Sequence, residues 1–110
     1  MLRLLFWAAA LAGWLSGAAP LAAQADHPKV KEERSGLLAL AHIAPDSAIR
    51  LARSRVPHAT IQSAEIEREN GRLIYSFELK TPGKAGIDEV NVDAMTGYVL
   101  PVEHEGPGNR

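Results

Sequence analysis

The sequence predicts an α+β domain in which one main helix packs on an antiparallel four-stranded β-meander, preceded by a cleaved signal peptide. Three observations lead to this prediction. The first residues are strongly apolar, apolar residues recur at helical spacing between Pro45 and Val56, and from Thr60 onward they alternate with polar ones. The dipeptide Asn70-Gly71 divides the alternating stretch, as the turn of a β-hairpin does. A helix followed by a meander covers one sheet face and leaves the other for solvent or a partner.

Residues 1–25 have the organisation of a secretory signal peptide. Arg3 supplies a short positive start, an apolar stretch follows, and Ala23-Gln24-Ala25 places small residues at a cleavage site. The apolar stretch is shorter than the roughly 20 residues that a membrane-spanning helix needs. We therefore expect an exported protein, in the periplasm or the extracellular space, with no membrane contact after cleavage.

The remainder divides into a domain and two polar ends. Residues 26–36 are mostly charged and are predicted to form a flexible lead-in, whereas residues 37–102 contain the apolar patterns of the folded domain. Residues 103–110 include two glycines and a proline and are predicted to be a disordered tail. The pattern leaves open whether residues 30–42 form a packed helix or a flexible arm.

The main helix has signals at both ends. Pro45 suits the first helical position and Asp46 the positive end of the helix dipole. Arg53 and Arg55 complement the negative end, and Pro57 stops the helix. The arginines are expected to form a solvated helix face rather than a binding cluster.

The hairpin prediction can be checked through its register. A two-residue turn between strands at 60–69 and 72–80 pairs Ile66 with Tyr75, and the apolar side of one strand then meets the apolar side of the other. The opposite side of the first strand presents three carboxylates, which we expect to form a solvated surface. These are Glu65, Glu67 and Glu69.

Two further strands complete the predicted sheet. Residues 87–93 alternate, with Val90 and Val92 facing inward. A tight turn with Gly97 in a left-handed conformation leads into a short fourth strand over residues 98–100.

Composition excludes several classes of function. The 110 residues contain 12 Lys and Arg against 13 Asp and Glu, a net charge of −1, so no basic excess favours a nucleic-acid partner. Cysteine is absent, which excludes disulfides, thiolate metal sites and a lipid-modified cysteine. We expect a monomer, although the sequence does not determine the oligomeric state.

No arrangement of residues predicts catalysis. The serines after residue 26 lack the glycine-flanked strand-turn-helix motif of a nucleophile, and no glycine-rich phosphate loop precedes a helix. Four histidines invite a metal hypothesis, but none is paired at a ligand spacing. They are His27, His42, His58 and His104. We expect no catalytic residue, no cofactor and no metal site, and the protein is predicted not to be an enzyme.

Residues 42–100 resemble a PepSY domain. The resemblance rests on an alanine-rich helix ending in Val56-Pro57, an Ala-Glu-Ile-Glu strand, a Leu-Ile-Tyr-Ser-Phe strand, and the closing hairpin Glu-Val-Asn-Val-Asp-Ala-Met-Thr-Gly-Tyr-Val-Leu. It departs from the family at His58, where a glycine often follows the proline. This difference concerns only how the turn is made.

The resemblance implies a protein-binding role. PepSY domains occur in the propeptides of thermolysin-type metalloproteases, in spore-coat proteolysis proteins, in membrane-bound proteins and in short secreted chains, and no catalytic residue is carried over from them. It implies an exported module that restrains or modulates an exported peptidase. The alternative left open is an envelope structural or sensory protein that binds a small ligand or metal ion through its histidines and acidic strand.

Protein contact is expected through the sheet, because extended segments commonly dock on exposed sheet edges. Outward-facing positions of the second hairpin strand mix apolar and polar character, and one isoleucine of the first strand is expected nearby. The predicted partner-contact residues are Ile61, Ile74, Ser76 and Glu78.

Overall fold

A computed structural model describes residues 28–107, which form two helices and one five-stranded sheet. In chain order the elements are β1 (Lys31–Glu32), α1 (Leu37–Leu40), α2 (Pro45–Arg55), β2 (Thr60–Glu69), β3 (Arg72–Lys80), β4 (Ile87–Asp93) and β5 (Glu103–Glu105). The strands lie in the order β1-β2-β3-β4-β5; β1 is parallel to β2, and the other neighbours are antiparallel. The predicted signal peptide and its cleavage site lie outside the described residues.

Helix α2 begins and ends as the sequence predicts. Pro45 occupies the first turn together with Asp46, and Arg53 and Arg55 lie in the last turn. The helix buries three small or branched side chains against the sheet: Ala48, Ile49 and Ala52. Neither helix in residues 28–107 has the length and apolar character needed to cross a bilayer.

The β2–β3 hairpin has the predicted turn and register. Asn70 and Gly71 both have positive φ, 50° and 80°, as the twist of a two-residue hairpin requires. Ile66 lies opposite Tyr75 and Ala64 opposite Phe77. The apolar sides of the two strands therefore form one continuous surface, on which α2 packs.

The register changes near the start of β2, and this corrects one predicted position. Ser63 pairs with Glu78, but Ile61 pairs with Leu79, so the extra residue Gln62 forms a bulge. An unbroken hairpin register would place Ile61 opposite Lys80 on the outer side of the sheet. Because one inserted residue reverses the side to which a side chain points, Ile61 instead lies in the core with 7% of its surface exposed.

The aromatic pair of β3 lies at the centre of the core. Tyr75 and Phe77 are fully buried, and their rings lie 6.2 Å apart at an interplanar angle of 15°. The Tyr75 hydroxyl donates a hydrogen bond of 2.6 Å to the carbonyl oxygen of Ile43, and burial raises the pKa of that hydroxyl. This bond joins the segment between α1 and α2 to the middle of the sheet.

The C-terminal part of the domain differs from the prediction. Residues 98–100 do not form a strand and make a single bridge between Val99 and Val92, after which Pro101 lacks the N–H needed to continue pairing. The chain pairs again at β5, where Glu105 lies opposite Ile87. The prediction of four strands, and of a disordered tail at Glu103–Glu105, is therefore wrong.

The N-terminal lead-in also contributes to the fold. Val30 is buried in the core, and β1 pairs its two residues with Glu65 and Ile66 of β2. Because a charged segment carries few apolar residues, its sequence pattern gives no indication of the strand that it adds. Residues 37–40 form the short helix α1, whose Leu37 packs into the same core.

Candidate protein-binding face

The sheet face turned away from α2 is polar and acidic. The strand registers place carboxylates from β2, β3, β4 and β5 side by side on it. We call this surface the outer face. Its carboxylates include Glu65, Glu67, Glu78, Glu89 and Glu103. The outer face therefore has the charge to attract a cationic surface.

One row of the outer face consists of like charges. Glu78 of β3 lies directly opposite Glu89 of β4, which in turn lies opposite Glu103 of β5. Like charges at directly opposed sheet positions destabilise the pairing. A positively charged partner group placed over this row would reduce that repulsion.

Glu67 of the outer face is affected both by burial and by neighbouring negative charges. Burial raises the pKa of Glu67 above its ordinary value of 4.5, and the negative charges of Glu65, Glu69, Glu33 and Glu89 raise it further. The side chain is half-buried beside Ile74 in the register. A cation nearby would oppose both effects and favour the ionised form of Glu67.

Glu67→Gln is expected to increase the free energy of unfolding at pH 7 by about 1 kcal/mol or less, since the side chain is partly exposed and screened. The folded pKa lies above the unfolded one, so ionisation of Glu67 destabilises the fold at pH values above the folded pKa. This cost is absent below the unfolded value of about 4.5, and the gain should disappear near pH 3. Urea titrations at the two pH values measure the difference.

Glu105→Gln is the matched control for this substitution, because it removes the same charge from an exposed position on β5. Its effect at pH 7 should be smaller than that of Glu67→Gln. A loss of stability in Glu67→Gln at pH 7, or the same gain at both pH values, would contradict the electrostatic interpretation.

The structure brings three of the four predicted contact residues to the outer face. Glu78 is exposed and Ser76 half-buried, whereas Ile74 has only 2% of its surface exposed. Ile74 is flanked in the register by Glu67 and Asp93, and it lines a shallow depression together with Leu100. Ile74 thus lies on the predicted outward side but is shielded from solvent, and Ile61 lies in the core; a contact role for the four residues stays a prediction.

Asn91 occupies the middle of the outer face, opposite Ser76. Its amide nitrogen donates a hydrogen bond of 3.2 Å to Glu89, while its carbonyl oxygen Oδ1 is buried and accepts none from the described residues. A buried acceptor without a donor costs about 1–3 kcal/mol. A donor that reached this oxygen would recover part of that cost.

The ion-pair cluster around Asp88 is not among the features predicted from the sequence. This carboxylate is 4% exposed; Oδ1 lies 2.7 Å from His104 Nδ1 and Oδ2 lies 3.4 Å from Lys84 Nζ. Burial opposes ionisation of Asp88, but hydrogen bonds from His104 and Lys84 outweigh it and hold its pKa below the usual value. The cluster joins β5 to the β3–β4 connection. The alternation of residues 87–93 places Asp88 on the same side as Val90, and this was the sequence signal that could have indicated a buried carboxylate.

The three histidines within residues 28–107 belong to different parts of the fold. His42 follows α1, His58 follows α2, and His104 lies on β5; His27 is outside the described residues. Within residues 28–107, no three His, Cys, Asp or Glu side chains are grouped in a way that could hold a metal ion.

Comparison with known proteins identifies the domain. The family model described as peptidase propeptide and YPEB domain, PepSY, matches residues 43–103, which run from the segment before α2 to the start of β5. No curated protein and no solved structure matches the chain. The matched region includes α2, the hairpin, β4 and most of the outer face, and the chain belongs to the PepSY family.

Proposed function

We propose that this protein is an exported, non-enzymatic binding module that restrains or modulates an exported peptidase through non-covalent contact with the outer face of its sheet. Membership of a family of peptidase propeptide domains supports a peptidase as the partner. The single observation that carries the mode of binding is the acidic outer face, which α2 leaves uncovered.

The charges of the outer face define the partner surface. The row Glu78, Glu89 and Glu103 and the neighbouring Glu67 are most stable opposite Lys or Arg side chains. The partner should therefore present a basic patch, and association should weaken as salt is added because exposed charges are screened.

The experiment uses the full chain expressed with its own N-terminal segment in an exporting host, together with a panel of exported metallopeptidases. Binding is measured by calorimetry, and peptidase activity by the cleavage rate of a fluorogenic peptide. We expect at least one peptidase to bind and to be slowed. Glu78→Lys should weaken that binding by about tenfold or more, because it places a positive charge against the basic patch.

Asp46→Lys is the matched control, since it makes the same charge reversal on α2, on the other side of the sheet. Both variants should first be shown to be folded by circular dichroism. If Glu78→Lys and Asp46→Lys weaken binding equally, the outer face is not the contact surface. If no peptidase in the panel binds or changes its rate, the proposed role is contradicted.

A further inference from the structure

A second candidate site lies at the end of the sheet, away from the row of glutamates. A cavity of about 420 Å³ opens where the β2–β3 turn approaches the end of α1 and the turn after β4. The side chains that define its chemistry are Leu40, His42, Arg68, Arg72, Leu73 and Met95. It therefore combines apolar and cationic groups in one concave surface.

The apolar part of the cavity is exposed without a covering element. Leu40 is 49% exposed and Met95 39% exposed, and these are two of the four large hydrophobic side chains exposed in residues 28–107. They reach the same cavity from different elements, α1 and the turn after β4. Neighbouring exposed apolar side chains commonly mark a binding site, and methionine adapts well to different apolar partners.

The cationic part has a guanidinium available for a ligand. Arg68 makes no hydrogen bond or ion pair with any residue in the described range, and its Cα partner is Leu73. Arg72 is less available, because it lies opposite Glu69 and its charge favours ionised Asp93. The site therefore presents one uncompensated positive charge beside an apolar surface.

The one carboxylate that lines the cavity is already engaged. Oδ1 of Asp93 accepts hydrogen bonds from the backbone N–H groups of Met95 and Thr96, at 2.8 and 3.0 Å. Burial opposes ionisation of Asp93, but these bonds and the charge of Arg72 hold its pKa below the usual value. Asp93 shapes the turn and leaves the guanidinium of Arg68 to an external anion.

We propose that this cavity binds the free C-terminal carboxylate of a peptide whose last residue is aliphatic. Arg68 would donate two parallel N–H bonds to the carboxylate, a geometry that guanidinium and carboxylate groups favour. The aliphatic side chain would lie between Leu40 and Met95. The volume is near the lower end of the roughly 300–1,000 Å³ typical of ligand cavities, which suits a chain end better than a long ligand.

This site is separate from the outer-face contact and needs no peptidase to be observed. Only the choice of a peptide, rather than another aliphatic carboxylate, rests on the proposed function as a protein-binding module. The occupant is defined by two features, a terminal carboxylate and an aliphatic side chain next to it, and each can be removed separately.

The first experiment titrates the full chain with a five-residue peptide that ends in leucine, and with the same peptide carrying a C-terminal amide. Calorimetry gives the affinities, and amide resonances of isotope-labelled protein identify the site. The free acid should bind about tenfold or more tightly than the amide, because a hydrogen bond to a charged group is lost in the amide. The resonances of Leu40, Arg68 and Met95 should shift.

Two substitutions test the lining. Arg68→Gln should weaken binding of the free acid by about tenfold or more, whereas Arg55→Gln, a matched change at an exposed position in the last turn of α2, should leave it unchanged. Leu40→Ser should also weaken binding, since it removes apolar contact. Leu40 and Arg68 are exposed, so thermal denaturation should show that both variants remain folded.

Specific outcomes would overturn this proposal. They are the absence of binding, equal affinity for the acid and the amide, or binding that Arg68→Gln leaves unchanged. A titration with octanoate tests a free aliphatic carboxylate as the ligand. If octanoate binds at this cavity and the peptide does not, the peptide proposal is wrong. Glu78→Lys should not change peptide affinity, so failure of the outer-face contact and failure of this site can be distinguished.

Discussion

Phe77→Ala is expected to lower the free energy of unfolding by about 3–5 kcal/mol. Phe77 is fully buried, contacts Tyr75 through their stacked rings, and lies between Ala64 and Val90 in the registers of β3 with its two neighbours. Alanine would leave a cavity in the core between the sheet and α2. Since small domains have only about 5–15 kcal/mol of stability in total, we expect a large decrease in the urea midpoint, measured by circular dichroism.

Tyr98→Ala provides the control for this substitution. Tyr98 is also aromatic, but it is 62% exposed, and its loss should change the free energy of unfolding by about 0.5 kcal/mol or less. If the two variants were equally stable, the inner face of β3 would not be the core, and the assignment of the outer face would fail with it.

Gly86→Ala is expected to detach β5 from the sheet. Gly86 has a φ of +81°, and a Cβ at this position would overlap the backbone carbonyl oxygen of Glu105 and lie 3.0 Å from His104 Nε2. The substitution therefore adds steric overlap to the cost of a left-handed alanine. When β5 moves away, Asp88 loses its hydrogen bond from His104.

Gly83→Ala separates these two costs. Gly83 has a φ of +80° in the same connection, but a Cβ there would meet no atom within 4 Å. Gly83→Ala should lower the free energy of unfolding by about 1–2 kcal/mol, from the left-handed backbone alone. Gly86→Ala should lower it by about 1–3 kcal/mol more, because polar groups between β4 and β5 lose their partners. Hydrogen exchange should show faster exchange at the β5 amides in Gly86→Ala only. Equal stability and equal exchange in the two variants would contradict the docking of β5.

The central elements were predictable because their signals are local. Pro45 and Asp46 begin α2, and positive φ at Asn70 and Gly71 closes the hairpin at the predicted register. In both cases a residue within a few positions of the element determines where it begins or turns. The bounds of β2, β3 and β4 therefore agree with the predicted ranges.

The candidate sites were less predictable because they depend on distant parts of the chain. One bulge residue, Gln62, turns Ile61 into the core, and the segment after Pro101 pairs with the beginning of β4. Asp88 has its partners 4 and 16 positions away along the chain, Lys84 and His104. No short pattern shows that these groups meet.

The amino-acid sequence alone determined the family resemblance, the main helix, the three long strands and the alternation that separates the core from the acidic side, since these follow from spacing and turn chemistry within one element. Only the tertiary structure decided which charges become neighbours on the outer face, that Ile74 is shielded, and that Arg68 shares a cavity with Leu40 and Met95. The physical reason is that charge repulsion, shielding and cavity shape depend on distances between elements, and those distances exist only after the chain has folded.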